Sequence, residues 1–301
     1  VLFTALHLRN ATADAVDAAT PVDAAMVFLK TAIVLLVIAF GLPHVHVEHL
    51  TPFIPPNEGP GKYGWGGIFT ASGVIFFSYI GFDSVSVAAQ EAKNPQRDVP
   101  IGILASLGIC TVLYILMALV LVGVTDWRLL DGPDPVSFAI RQIGPSLGWL
   151  VPLVNIGAIV GLASVVFGSL YGQSRVFFSM ARDGFLWKMF CEVHPRFRTP
   201  HLGTILIGVF AVIMAAIFPL DILADLVSIG TLMAFVAVCI GIMMLRLSTP
   251  GAARPFRTPL VWVVAPLGVL ICGFMMVSLG AATWIRLVVW TIAGLFIYFL
   301  Y

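Results

Sequence analysis

Charge is the scarcest property of this 301-residue chain, since only 10% of its residues are Asp, Glu, Lys or Arg, whereas 60% are hydrophobic. Soluble globular proteins carry about 25% charged residues, and so few charges cannot cover a water-exposed surface. Disordered chains are poor in hydrophobic residues, so disorder is excluded as well. The mean hydropathy of +1.03 and the long apolar runs predict a polytopic membrane protein.

Cysteine pairs and enzyme motifs are also lacking. The four cysteines show no CxxC spacing, which supports neither a disulfide scaffold nor a zinc knuckle. A net charge of +1 gives no sign of a nucleic-acid partner. The sequence contains no phosphate-binding Gly-rich loop, GxSxG or HExxH motif, so we expect neither an enzyme nor a cofactor.

A histidine-rich stretch follows the first apolar run. His44, His46, His49 and Glu48 offer side chains that are ordinary zinc ligands. Their spacing fits no single helical face, and the segment is a Pro-rich loop. We therefore favour solvated loop histidines over a metal site.

Several apolar runs are long enough for a transmembrane helix, which needs about 20 residues to cross roughly 30 Å of hydrocarbon. Their pattern predicts an all-α membrane bundle with about eight spans. These are residues 24–42, 67–91, 101–124, 147–179, 202–219, 223–246, 260–279 and 284–301.

The basic residues give this bundle an orientation. Loops rich in Lys and Arg lie in the cytoplasm, and alternating spans place eleven of the sixteen basic residues on one side. That side holds Arg9, Lys93, Arg97, Arg175, Arg182, Lys188, Arg196, Arg198, Arg246, Arg254 and Arg257. The opposite, external side holds Lys62, Arg128, Arg141 and Arg286. The remaining basic residue, Lys30, lies inside the first span.

The second span contains a helix-weakening glycine and an acid at its middle. Gly81 is followed by Phe82 and Asp83, and a glycine weakens a helix by roughly 1 kcal/mol relative to alanine. One interpretation is a discontinuous helix at a midplane substrate site, with Asp83 capping a second half-helix from Ser84. The other is a glycine at a helix crossing beside a snorkelling aspartate.

Lys30 lies about two turns inside the first span, where its ammonium group is paired, neutral or snorkelling to the cytoplasmic surface. In a polar cavity its side chain could bind and release a proton during substrate translocation. Ser164 in the fourth span could lend it a hydroxyl group.

Other polar and small residues in the spans have simpler interpretations. The helix dipole favours Asp221 and Asp225 as first-turn acids. Gly157, Gly161 and Gly168 favour close helix packing.

Two long motifs carry a family resemblance. FFSYIGFDSVSVAAQEAKNPQRDVPIGI and GQSRVFFSMARDGFLWKMFCEVHPRFRTPH resemble amino acid permeases of the amino acid–polyamine–organocation superfamily, and its cationic amino acid transporter family in particular. The resemblance covers residues 24–301 and implies two five-helix inverted repeats followed by two helices. On that map the permease domain at 24–301 holds family helices five to twelve. Residues 1–23 form an atypical remnant, and the Val1 start is consistent with a truncated chain.

The family resemblance implies secondary-active transport of amino acids by alternating access in the plasma (inner) membrane. It implies that backbone carbonyls around the second-span break receive the substrate's ammonium group, that an aromatic ring gates the site, and that its neighbours shape the break. The residues at the matching positions are Phe77, Ser78, Tyr79, Ile80, Gly81 and Phe82, with Phe82 as the gate.

The same resemblance implies proton coupling. Lys30 matches a fifth-helix lysine whose ammonium group replaces a sodium ion in proton-dependent relatives, and Ser164 is its neighbour on the eighth helix. Without a first repeat, rocking of one repeat against the other cannot occur, so we expect the isolated chain not to transport. The alternatives are a non-transporting sensor or partner subunit and, less favoured, a channel.

Overall fold

The computed structural model describes residues 20–59, 63–82, 94–194, 199–251 and 256–300. Most of these residues are helical, and short 3-10 turns lie between several of the longer elements. The α-helices are α1 (Thr20–Gly41), α2 (Gly64–Ile75), α3 (Pro95–Val124), α4 (Pro135–Ile143), α5 (Leu150–Arg182), α6 (His201–Ile217), α7 (Leu220–Ser248), α8 (Val261–Ser278) and α9 (Ala281–Leu300).

Six of these helices are long and apolar enough to cross a membrane, namely α1, α3, α5, α7, α8 and α9. Helix α6 is apolar but shorter. Only 11–22% of the residues in the most apolar part of each span are buried. Most residues in these parts of the spans are therefore partly or fully exposed, as expected for helices solvated by lipid. The predicted helical membrane bundle is confirmed.

Two features differ from the predicted spans. The second span, predicted at 67–91, does not continue as one helix, because α2 ends at Ile75. The second feature is α4, a nine-residue amphipathic helix that a search for long apolar runs cannot find. Asp134 caps α4 by accepting a hydrogen bond from the backbone N–H of Ser137 at 3.3 Å.

The structure divides into two compact units. The first contains the described residues of Val1–Pro55 and Phe82–Ser169, and thus α1, α3, α4 and the first part of α5. Its apolar core is built where α4 packs onto the long helices. The buried side chains are Val37, Ile38, Val120, Val124, Ala139, Ile140, Leu147 and Leu150.

The second unit contains the described residues of Pro56–Gly81 and Leu170–Tyr301, and thus α2, the end of α5, and α6 to α9. Its core joins α7, α8 and α9 through Ile229, Leu232, Met276 and Leu287. Helix α2 lies against α8 at Gly73, where an added Cβ would be 3.1 Å from the Met275 carbonyl oxygen. The missing side chain at this position allows the two helices to approach closely.

Candidate functional site

Lys30 forms a polar contact inside the first unit. Its Nζ donates a hydrogen bond to Ser164 Oγ at 3.2 Å, which joins α1 to α5. The Ser164 hydroxyl donates in turn to the Gly161 carbonyl at 2.8 Å, one turn earlier in α5. Lys30 is half-buried, and among the described residues no carboxylate forms an ion pair with it. The predicted proximity of Lys30 and Ser164 is therefore observed.

A small residue allows α1 and α5 to approach each other near this contact. A Cβ added at Gly157 would lie 2.7 Å from Ile33 Cδ1, so the Ile33 side chain fills the space that the glycine leaves. No described atom lies within 4 Å of a Cβ added at Gly161 or Gly168. Close packing against a described side chain is therefore observed at Gly157, and it stays a prediction for Gly161 and Gly168.

The backbone breaks in the middle of the predicted second span. After Ile75 the chain forms one 3-10 turn, Phe76–Tyr79. Ile80 is then extended, with φ −62° and ψ 133°, and Gly81 has φ +122°. This φ is one that L-residues rarely adopt, so glycine is required to keep the backbone unstrained. The backbone therefore departs from the regular hydrogen-bond pattern of an α-helix at this point.

Aromatic packing anchors the start of this break in the second unit. The Phe76 ring meets the Phe235 ring of α7 edge to face, with centroids 6.0 Å apart, and Phe76 also packs against the core of that unit. About two turns earlier, Phe69 meets Phe274 of α8 in the same geometry at 5.2 Å. The break therefore begins at a fixed position on α7 and α8.

The predicted substrate-contacting residues are distributed along this break. The backbone N–H of Ile80 donates to the Phe77 carbonyl at 3.2 Å, which leaves one lone pair of that carbonyl for another donor. The side chain of Phe77 is exposed, whereas those of Tyr79 and Phe82 are half-buried. Asp83, predicted to cap a second half-helix, lies outside the described residues.

The histidines after α1 contact backbone carbonyls. His49 Nδ1 lies 3.1 Å from the Gly123 carbonyl oxygen, and His44 Nδ1 lies 3.0 Å from that of Phe40. The backbone N–H of His46 also donates to Gly123. Across the described ranges, no three His, Cys, Asp or Glu side chains converge as metal ligands would.

An ion pair that the sequence did not predict joins α7 to α9. Asp225 Oδ2 accepts a hydrogen bond from Thr283 Oγ1 at 3.3 Å and lies 3.9 Å from Arg286 Nη1. Thr283 is buried, and the two charged side chains are about one-third exposed. Asp221 lies in the first turn of α7, as predicted, whereas Asp225 lies beyond that turn and pairs with α9 instead. The i, i+3 spacing of Thr283 and Arg286 on one helical face was the available signal.

A double-mutant cycle should detect this ion pair. We expect Asp225→Asn and Arg286→Gln to show a coupling energy of about 1 kcal/mol, within the range for partly exposed ion pairs and for polar contacts in membranes. Chemical denaturation in mixed micelles measures it. The matched cycle of Asp221→Asn with Arg286→Gln should show no coupling. Additive effects in the Asp225 cycle would contradict the contact.

A family model described as amino acid permease matches residues 14–300 of this chain. The chain belongs to the amino acid permease family. The predicted family resemblance is thereby confirmed. With six helices able to cross a membrane, this permease-family chain is a multi-pass integral membrane protein.

The names of proteins similar to this chain contain different substrates. The branched-chain amino acid permease BcaP of Bacillus subtilis is 41% identical over 277 residues, which are 92% of this chain and 58% of that protein. The methylthioribose transporter of Bacillus subtilis is 40% identical over 301 residues, which are 100% of this chain and 62% of that protein. The vacuolar cationic amino acid transporter 4 of Arabidopsis thaliana is 44% identical over 188 residues, which are 62% of this chain and 31% of that protein. The permease-family chain thus spans about three-fifths of the length of the two bacterial relatives.

Proposed function

We propose that the protein carrying this chain is a secondary-active transporter of amino acids in the plasma membrane. The observation that carries the proposal is the Lys30–Ser164 contact between two apolar helices. A charged group inside a membrane is costly, so it is retained where it serves a pathway or a coupling step. Membership of the amino acid permease family supports the same conclusion.

The coupling ion in this proposal is the proton. When charged, the Lys30 ammonium group donates to Ser164 and holds α1 against α5, as a bound cation would. When neutral, it loses about half of that attraction, because charged hydrogen bonds are roughly twice as strong as neutral ones. The protonation state of Lys30 thereby biases the position of α1 relative to α5, and external protons favour one state of the transport cycle.

The break after α2 is the proposed substrate site. Carbonyl groups around Phe77, Ser78 and Ile80 are acceptors only, so they suit the three N–H donors of an α-ammonium group. Discontinuous helices with freed backbone groups bind substrates in many transporters. Phe82 gates the site in this proposal, and Tyr79 and Gly81 shape its wall.

A second candidate substrate is methylthioribose. The relative that carries this name aligns with all 301 residues of the chain. Its sugar hydroxyl groups would donate to the same backbone carbonyls that an ammonium group uses, and its thioether would contact the aromatic rings of Phe77 and Tyr79. Both substrates therefore fit one acceptor-rich, aromatic site.

Counterflow in proteoliposomes tests the proposal and separates the substrates. The complete protein is loaded with unlabelled leucine, arginine or methylthioribose, and entry of the labelled compound is followed. We expect saturable exchange of leucine, faster net uptake when the outside is acidic, and little exchange of arginine. Saturable exchange of methylthioribose alone would establish the second candidate. Linear, non-saturating flux would indicate a channel, and substrate binding without flux would indicate a sensor.

A further inference from the structure

The chain leaves α5 through a turn of fixed geometry. Gly184 has φ +86°. Its N–H donates to the Ala181 carbonyl at 3.2 Å, and the Phe185 N–H donates to the Met180 carbonyl at 2.9 Å. These two bonds form a Schellman motif, in which a left-handed glycine ends the helix. The turn therefore holds Phe185 in a set position, three residues after Arg182.

Apolar packing beneath this turn directs its other side chains outward. Ala181 and Phe190 are buried, and the Phe190 ring meets Phe177 edge to face with centroids 5.4 Å apart. Phe190 also lies against Gly203 of α6, where an added Cβ would be 3.2 Å from its ring. Between these buried residues, the side chains of Arg182, Phe185, Trp187 and Lys188 are exposed.

The exposed turn meets the end of α9. The Phe185 ring stacks on Tyr298 with centroids 5.9 Å apart and planes inclined by 29°. Every residue from 288 to 300 of α9 is exposed, so an uninterrupted apolar surface runs along the helix to this stacked pair. Cations and aromatic rings therefore lie at the end of a lipid-facing helix, on the side predicted to be cytoplasmic.

We propose that Arg182, Phe185, Trp187, Lys188 and Tyr298 form a binding site for one anionic phospholipid of the inner leaflet. The two cations attract the headgroup phosphate, as basic residues at a membrane surface do. The aromatic side chains lie at the interfacial depth that such rings prefer, and the acyl chains lie along α9.

Charge and apolarity together identify the occupant of this surface. Asp183 is also exposed in the turn, so the local excess of positive charge is modest, and a small anion gains little there without apolar contact. A second copy of the chain would bring the same cations and repel them. The inference does not rest on the proposed transport function.

Native mass spectrometry of the full chain in neutral detergent tests this site. Phosphatidylglycerol and phosphatidylcholine are supplied together at equal concentration. We expect the wild-type chain to retain phosphatidylglycerol about tenfold better, and Arg182→Gln/Lys188→Gln to lose that preference. The control Arg128→Gln/Arg141→Gln removes the same charge from the predicted external side and should keep it. Inorganic phosphate at millimolar concentration should not displace the lipid.

Several results would overturn the proposal. These are equal retention of both lipids, an unchanged preference in Arg182→Gln/Lys188→Gln, an equal loss in the control, displacement by inorganic phosphate, or a stable lipid-free dimer. Should the double variant fail to fold, the wild-type chain in about 0.5 M salt provides the second measurement. Screening at that ionic strength should abolish the preference, and a preference that persists would contradict the assigned cations.

Discussion

Lys30→Ala in the complete protein is expected to lower proton-driven substrate uptake by at least tenfold while leaving exchange of internal for external substrate measurable. Exchange requires no net proton movement, whereas accumulation requires a group that binds and releases a proton in each cycle. Lys30→Arg should fail in the same way for the opposite reason, because a guanidinium group keeps its proton at all relevant pH values. Initial uptake rates in proteoliposomes, with and without an imposed pH gradient, measure both effects.

Ser164→Ala is a variant with a smaller expected effect on uptake, and a substitution of a distant arginine is the control. Ser164→Ala removes the hydrogen-bond partner seen at 3.2 Å from Lys30 but leaves the amine. We therefore expect substrate uptake to fall severalfold, and the remaining uptake should still depend on pH. Arg141→Gln, an exposed position on α4, should transport as the wild type does. Uptake by Lys30→Ala that still follows the proton gradient would contradict the assigned coupling role.

Polar residues inside apolar helices were the most predictable part of the candidate site. Lys30 and Ser164 are 134 residues apart in the chain, yet they contact each other. A half-buried ammonium group in an apolar span requires a polar partner, and the Ser164 hydroxyl provides one. The positions of the long helices were predictable for a related reason, because span length is fixed by the thickness of the bilayer.

Features that depend on helix rotation or on short elements were not predictable. Asp225 lies one turn into α7, and only the packing of α9 turns Thr283 and Arg286 toward it. Gly157 and Gly161 are both small residues on α5, but Ile33 faces only the first. Helix α4 buries Ser137, Ala139 and Ile140 within nine residues, which is too short for a transmembrane pattern to register.

Gly81→Ala is the second substitution with a large expected effect, since we expect uptake to fall at least tenfold. Gly81 has φ +122°, and no described atom lies within 4 Å of an added Cβ. The added methyl group therefore has space, and its cost comes from the backbone, where a non-glycine residue in such a conformation costs about 1–3 kcal/mol. Relieving that strain rotates the peptide groups beside Ile80 and moves the carbonyls proposed to bind the substrate.

Gly108→Ala on α3 separates this effect from a general loss of stability. A Cβ there also meets no described atom within 4 Å, but Gly108 lies inside a regular helix, where alanine is favoured by about 1 kcal/mol. Gly108→Ala should express and melt at least as well as Gly81→Ala. Only Gly81→Ala should raise KM or abolish uptake. If Gly81→Ala transports with the wild-type KM, the left-handed φ is not needed in the transport cycle. The break after α2 would then be a packing feature, and the substrate site would have to be sought elsewhere.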